Sequence, residues 1–120
     1  MNAADAYRQQ SVLSAPLPIK LAQLHERGAV LTQQIYQCYE KGDVATARDC
    51  ITQIEDIIAF LRSSLNPDLE VSSYVEATYI FYYKMCVSWF VDFNTMPEGY
   101  ESMLEFWKSW AKTWMHVRYK

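Results

Sequence analysis

Apolar and small residues in this chain recur in alternating steps of three and four. Leu21, Leu24, Gly28, Leu31, Ile35 and Cys38 form one such row, and Ala47, Ile51, Ile54, Ile58, Leu61 and Leu65 a second. Val75, Tyr79, Tyr82, Cys86, Phe90 and Phe93 make a third, and Tyr100, Met103, Trp107, Trp110, Trp114 and Val117 a fourth. Such steps keep side chains on one face of a helix, whereas a half-buried strand needs a step of two, and no comparable run exists. The rows predict helices over roughly 18–41, 44–65, 73–93 and 97–118. Each would be about 30–37 Å long at ~1.5 Å per residue. Matched lengths and short connections predict an all-α, antiparallel four-helix bundle spanning residues 17–120.

The punctuation between the rows agrees. Pro16 and Pro18 precede the first row, Gly42-Asp43 separates the first two, and Asn66-Pro67-Asp68 closes the second. The stretch from Asn94 to Gly99 parts the third from the fourth. Gly42 suits the left-handed position after a helix, and Asp43 suits an N-cap. Ser73 with Glu76, and Thr95 with Glu98, have capping-box spacing. The first sixteen residues, MNAADAYRQQSVLSAP, follow no such pattern, and their sizeable anchors are Tyr7, Val12 and Leu13. They are read as a flexible N-terminal arm that docks on the bundle; the alternative is a frayed end without a role.

Composition narrows the class. A length of 120 residues suits one domain, and a hydrophobic fraction of 51% excludes a disordered, solvating chain. Eleven basic against fourteen acidic residues argue against nucleic acid as a partner. The three cysteines, Cys38, Cys50 and Cys86, are odd in number and widely spaced, which fits a reducing compartment better than a disulfide scaffold. No basic segment leads into an apolar one near the start, so no export signal is expected. The most apolar stretch, Tyr74 to Phe93, carries Glu76, Lys84 and Asp92, which interrupts any membrane-spanning reading. A soluble, cytoplasmic protein without stable membrane insertion is expected.

Residues for catalysis are sparse. A di-metal bundle site needs Glu-x-x-His pairs, yet Ala22 and Thr113 stand three residues before His25 and His116. No Cys-x-x-Cys occurs, and three isolated glycines make no phosphate cradle. Cys38 and Cys50 flank the first turn with an offset of about a helical turn, and read as small core residues. No metal, cofactor or catalytic residue is expected, and the chain does not read as an enzyme.

The excess lies in the aromatics. Fourteen of the eighteen Phe, Trp and Tyr residues lie at or after Tyr74. Beside the core row of the third helix runs a second apolar row, Ile80, Tyr83, Val87 and Val91. It widens the apolar arc to about 200°, where an arc just over ~100° is usual. Ile57 and Phe60 flank the row of the second helix in the same way. Two readings stay open. A helix between two neighbours needs a wide arc, and an apolar groove that receives a partner segment needs one too. On the fourth helix, Glu101, Glu105, Lys108, Lys112, His116 and Lys120 form a charge row, read as a solvated face.

The order of these features resembles the FliS family, the flagellin-specific export chaperones of bacterial flagella. The resemblance runs from about Ala6 to Trp110. AYRQQSVLSAP (Ala6–Pro16) is similar to the family's AYxxxxVxTASP opening, and Gly28-Ala29 to its Leu-Tyr-x-Gly-Ala. The acidic-to-Gly turn, ITQIEDIIAFLRSSLNPDL (Ile51–Leu69), the tyrosine-rich third helix and Trp110 follow in the family's order. The chain departs from the pattern in an extra residue before Pro18, in His25-Glu26 where the family has Leu-Tyr, and in its tryptophan-rich fourth helix. The resemblance implies a non-enzymatic cytoplasmic chaperone that holds the disordered C-terminal region of flagellin, prevents premature polymerisation and assists delivery to an export-gate component. It makes Ile57, Phe60, Ile80, Tyr83, Val87 and Val91 the expected client groove. Tyr7, Val12 and Leu13 are then expected to cover or contact it, in a monomer or weak dimer. The competing reading is a helical module that dimerises through its aromatic faces without an export role.

Overall fold

Gly42 adopts φ 73°, a left-handed conformation open to glycine at no steric cost, and so ends the first helix. Asp43 then starts the second by accepting the Thr46 backbone N–H at 3.1 Å. In the computed structural model, which describes residues 17–117, these signals delimit α1 (Leu17–Lys41) and α2 (Val44–Ser63). After them come α3 (Val71–Val91), a short 3-10 turn (Phe93–Thr95) and α4 (Met96–Val117). The described residues form an all-α four-helix bundle. The arm residues Tyr7, Val12 and Leu13 lie outside them.

Neither expected capping box forms. α3 begins at Val71, so Ser73 already lies within the first turn, and Glu76 is drawn instead to Arg62 on α2 at 3.0 Å. The chain before α3 is held by Ser72, whose hydroxyl donates to the Asn66 carbonyl. Thr95 belongs to the 3-10 turn, and its hydroxyl donates to the Asp92 carbonyl at 2.8 Å rather than capping α4 through Glu98.

Every neighbouring pair of helices runs antiparallel. Between α1 and α4, Tyr36 meets Tyr100, and His25 meets Trp110. Between α1 and α2, Lys20 lies over Phe60, and Arg27 donates to Gln53. Arg48 with Phe90 and Arg62 with Glu76 tie α2 to α3. The bundle is flattened, with extents of 42 × 40 × 20 Å. α1 lies between α2 and α4, while α3 and α4 are joined largely through rings. Tyr82 stacks on Phe106 at 4.3 Å, and Tyr79 meets Trp110 edge-on at 5.2 Å.

The core rows of α1 and α2 are buried as their spacing requires, with Leu24 and Leu65 at the margin. Gly28 is needed for a close approach: a Cβ there would enter the indole of Trp107. In α3 the buried row is shifted. Tyr79 and Cys86 are buried, but Trp89 fills the place expected for Phe90, which is 38% exposed beneath the Arg48 guanidinium. Val75, Tyr82 and Phe93 are half-buried. Phe106 joins Met103 and Trp107 in the core of α4, with Tyr100, Trp110 and Trp114 packed at its edge. Cys38, Cys50 and Cys86 are free and buried, and burial pushes all three thiols up.

Candidate interaction surface

α3 carries large apolar residues on nearly every side, because only Glu76 and Lys84 among its 21 residues are charged. One side must therefore face water, since a bundle neighbour covers only part of a helix. Among the described residues, six of the twelve exposed large hydrophobics lie on this helix: Val71, Tyr74, Phe81, Val87, Phe90 and Val91. Val91 is 76% exposed and Tyr74 72%. Isolated exposed apolar residues are ordinary, but a cluster on one element marks an interaction surface.

The expected groove residues divide between two places. Ile80, Val87 and Val91 share the outward side of α3, with Ile80 half-buried and both valines exposed. Tyr83 stands at the edge of that side, packed against the core and beside Glu55 of α2. Burial pushes the Glu55 carboxyl up, and the nearby Tyr83 hydroxyl partly opposes this by favouring the carboxylate. Phe60 faces the other way, towards α1, where the Lys20 ammonium lies 5.8 Å from its ring centroid. Ile57 shares that flank at i,i+3 spacing and is half-buried. One groove lined by all six is therefore not what the helices build: α2 turns Arg48, Glu55 and Arg62 towards α3, not Ile57 and Phe60.

Two features were not legible in the sequence rows. Tyr74, Thr78 and Tyr82 of α3 face Ser102, Phe106 and Trp110 of α4 across a shallow hollow. At the end of the bundle where α1 and α3 begin, a cavity of about 220 Å³ opens between Leu21, Leu61, Leu65, Val75, Tyr79 and Trp114. It is rimmed by the exposed Leu69 and Val71. The signal available for both was the excess of rings over what four rows can bury. On α4, Glu101, Glu105, Lys108 and Lys112 are exposed, as a solvated face requires; the side chains of His116 and Lys120 lie outside the described residues.

A polar pair lies behind this surface. His25 is fully buried, and its Nδ1 is 2.7 Å from the Leu21 carbonyl, which can only accept. The proton therefore sits on Nδ1, and Nε2 accepts from the Tyr79 hydroxyl at 3.1 Å. Phe106, Trp107 and Trp110 surround the imidazole. Desolvation lowers the His25 pKa to about 4, partly opposed by the Leu21 carbonyl, and burial pushes the Tyr79 phenol up. With both partners satisfied and shut from water, this pair organises the core rather than presenting a reactive group.

A family model for the flagellar protein FliS matches residues 1–120. The chain belongs to the FliS family. That is a family of flagellar export chaperones, and an exposed apolar ridge on a helical bundle suits a protein that binds other chains. No curated protein matches the chain, and no solved structure does. No described helix of this FliS-family chain is long and apolar enough to cross a membrane.

Proposed function

We propose that this chain holds the disordered C-terminal segment of flagellin in the cytoplasm, keeps it from polymerising before export and helps deliver it to a component of the export gate. The observation that carries the reading is the outward side of α3, where Val87 and Val91 are exposed and Ile80 is half-buried beside Tyr83. A disordered client loses conformational entropy on binding, and recovers it best through several apolar anchors spread over a wide surface. Phe60 and Ile57 provide a second anchor point near the start of α1, reached by a client that wraps around α2.

The arm fits the same reading by its reach. Leu13 is four residues from Leu17, a span of at most about 14 Å, so the apolar cavity at the start of α1 lies within its reach. Tyr7 is ten residues away and reaches about 35 Å, far enough for the middle of α3. The arm covers apolar surface in the free protein and gives way to the client.

Co-expression with the flagellins of the same genome, followed by purification through a tag on this chain, is expected to retain one flagellin. Removing its C-terminal segment is expected to abolish retention. Deleting residues 1–13 should raise affinity for that segment if the arm competes; a fall in affinity would make Tyr7, Val12 and Leu13 contacts instead. A stable dimer that retains no flagellin would replace this reading with that of a homodimeric module.

A further inference from the structure

At the end of the bundle where α1 finishes and α4 begins, tyrosine rings and carboxylates share one surface. Tyr36 and Tyr39 stand three residues apart on α1, and Glu40 follows four after Tyr36, so the three lie on one side of the helix. Tyr36 packs on Tyr100 of α4 with ring centroids 4.6 Å apart, and Tyr39 meets Phe93 edge-on at 5.6 Å. Tyr36, Tyr39, Glu40 and Glu101 are all exposed, while Tyr100 and Phe93 are half-buried beneath them. Burial first, and then Tyr36, Glu101 and Glu40, push the Tyr100 phenol up, so both carboxylates lie within electrostatic reach of its hydroxyl.

The charge at this end is one-sided. Residues 40–49 and 92–101 hold six acidic side chains against two basic ones, an excess of four, while the whole chain carries −3. The remainder is therefore close to neutral, and a second copy of the chain offers this end little complementary charge. Of the two cations, Arg48 is engaged: its guanidinium lies 5.1 Å from the Phe90 ring centroid, and its Nε donates to the Phe90 carbonyl at 3.3 Å. Lys41 is exposed next to Glu40 in the chain. Asp43 and Asp92 are occupied by the backbone N–H groups of Thr46 and Asn94. Glu40 and Glu101 form no ion pair among the described residues. Phe90 thus receives a cation from its own chain, whereas the tyrosine rings at this end stand beside unpaired carboxylates. A guanidinium suits both groups at once, because it stacks on a ring face and forks onto a carboxylate; a lysine ammonium meets the carboxylate only as a point charge. Nucleic acid is repelled by the acidic excess.

We infer that this end of the bundle is a docking surface for an arginine-bearing basic segment of a partner protein, held by Tyr36, Tyr39 and Tyr100 together with Glu40 and Glu101. It is built by α1 and α4, apart from the outward side of α3, and does not rest on the reading of that side as the client surface. The carboxylates draw the segment in. The rings select arginine over lysine.

The test uses the full chain and a short blocked peptide carrying a pair of arginines, beside counterparts with lysine or glutamate in their place. At low salt the arginine peptide is expected to shift the backbone amide signals of residues 36–41 and 93–101 in a saturable way. It should bind about threefold or more tighter than the lysine peptide, and the glutamate peptide should not bind. Glu40→Gln combined with Glu101→Gln should leave the melting temperature unchanged, because both side chains are exposed, and weaken arginine-peptide binding about fivefold or more. Tyr36→Leu should remove the preference for arginine while lysine-peptide binding stays within about twofold. Tyr39→Leu gives the same reading if Tyr36→Leu melts markedly lower. Equal affinity in the double variant, equal binding of the arginine and lysine peptides, or shifts spread over the acidic residues of all four helices would overturn the inference. A concentration-dependent dimer that the double variant loses would also overturn it, since the surface would then belong to a second copy. The flagellin C-terminal segment is expected to bind the parent and the double variant alike. Competition between that segment and the arginine peptide would make this end part of the client surface and overturn a separate partner, whereas failure of the segment to bind at all leaves the peptide result standing.

Discussion

At the scale of single residues, His25 is the most consequential side chain of the core. Its pKa falls from 6.5 to about 4 because burial penalises the imidazolium. Above pH 6.5 neither the folded nor the unfolded chain protonates it. As pH falls from 6.5 towards 4, the unfolded chain takes up a proton that the folded chain refuses, so stability falls, by an amount approaching about 3 kcal/mol near pH 4. Urea unfolding at a series of pH values should show this fall, and His25→Phe should remove that part of it whatever its effect at pH 7. Parallel pH profiles for the two proteins would contradict the assignment. Gly28 makes the opposite point, since what matters there is an atom that is missing. Gly28→Ala drives a methyl into the ring of Trp107, a fully buried residue, and should destabilise by at least about 1–3 kcal/mol, read as a lowered melting temperature.

At the scale of elements, α2 behaves as its sequence says. Ile54 is fully buried and Leu61 is 1% exposed, so Ile54→Ala or Leu61→Ala should each cost about 2–5 kcal/mol by urea unfolding. Asp43→Ala removes the acceptor for the Thr46 N–H and should lower the melting temperature. What made α2 legible is contrast: one face is apolar and the other charged, so the row and the buried side coincide. α3 lacks that contrast. With apolar residues around almost its whole circumference, spacing alone does not say which row turns inward, and the choice between Trp89 and Phe90 falls to packing against the turn and α4. Burial of His25 was illegible for another reason. Its hydroxyl partner, Tyr79, lies 54 residues away, and nothing local to His25 announces that it will be satisfied. Ile57 and Phe60 lie beside the α2 row on the flank that faces α1, which a position next to a row does not reveal.

At the scale of the whole molecule, a flattened bundle leaves one helix with much of its circumference unclaimed. α1 is enclosed between α2 and α4, whereas α3 reaches α4 mainly through ring contacts and, among the described residues, leaves its outward side uncovered. The bundle thereby holds an apolar ridge in place without collapsing onto it, as the proposed binding of a disordered client requires. The measurement that tests this most directly is the affinity of the flagellin C-terminal segment for Val87→Asp, set beside the melting temperature of the same variant. Val87 is 42% exposed, so the variant should melt close to the parent protein. A carboxylate desolvated against an apolar client is penalised, so the segment should bind about tenfold more weakly or worse. A variant that melts like the parent and binds the segment equally well would contradict the account.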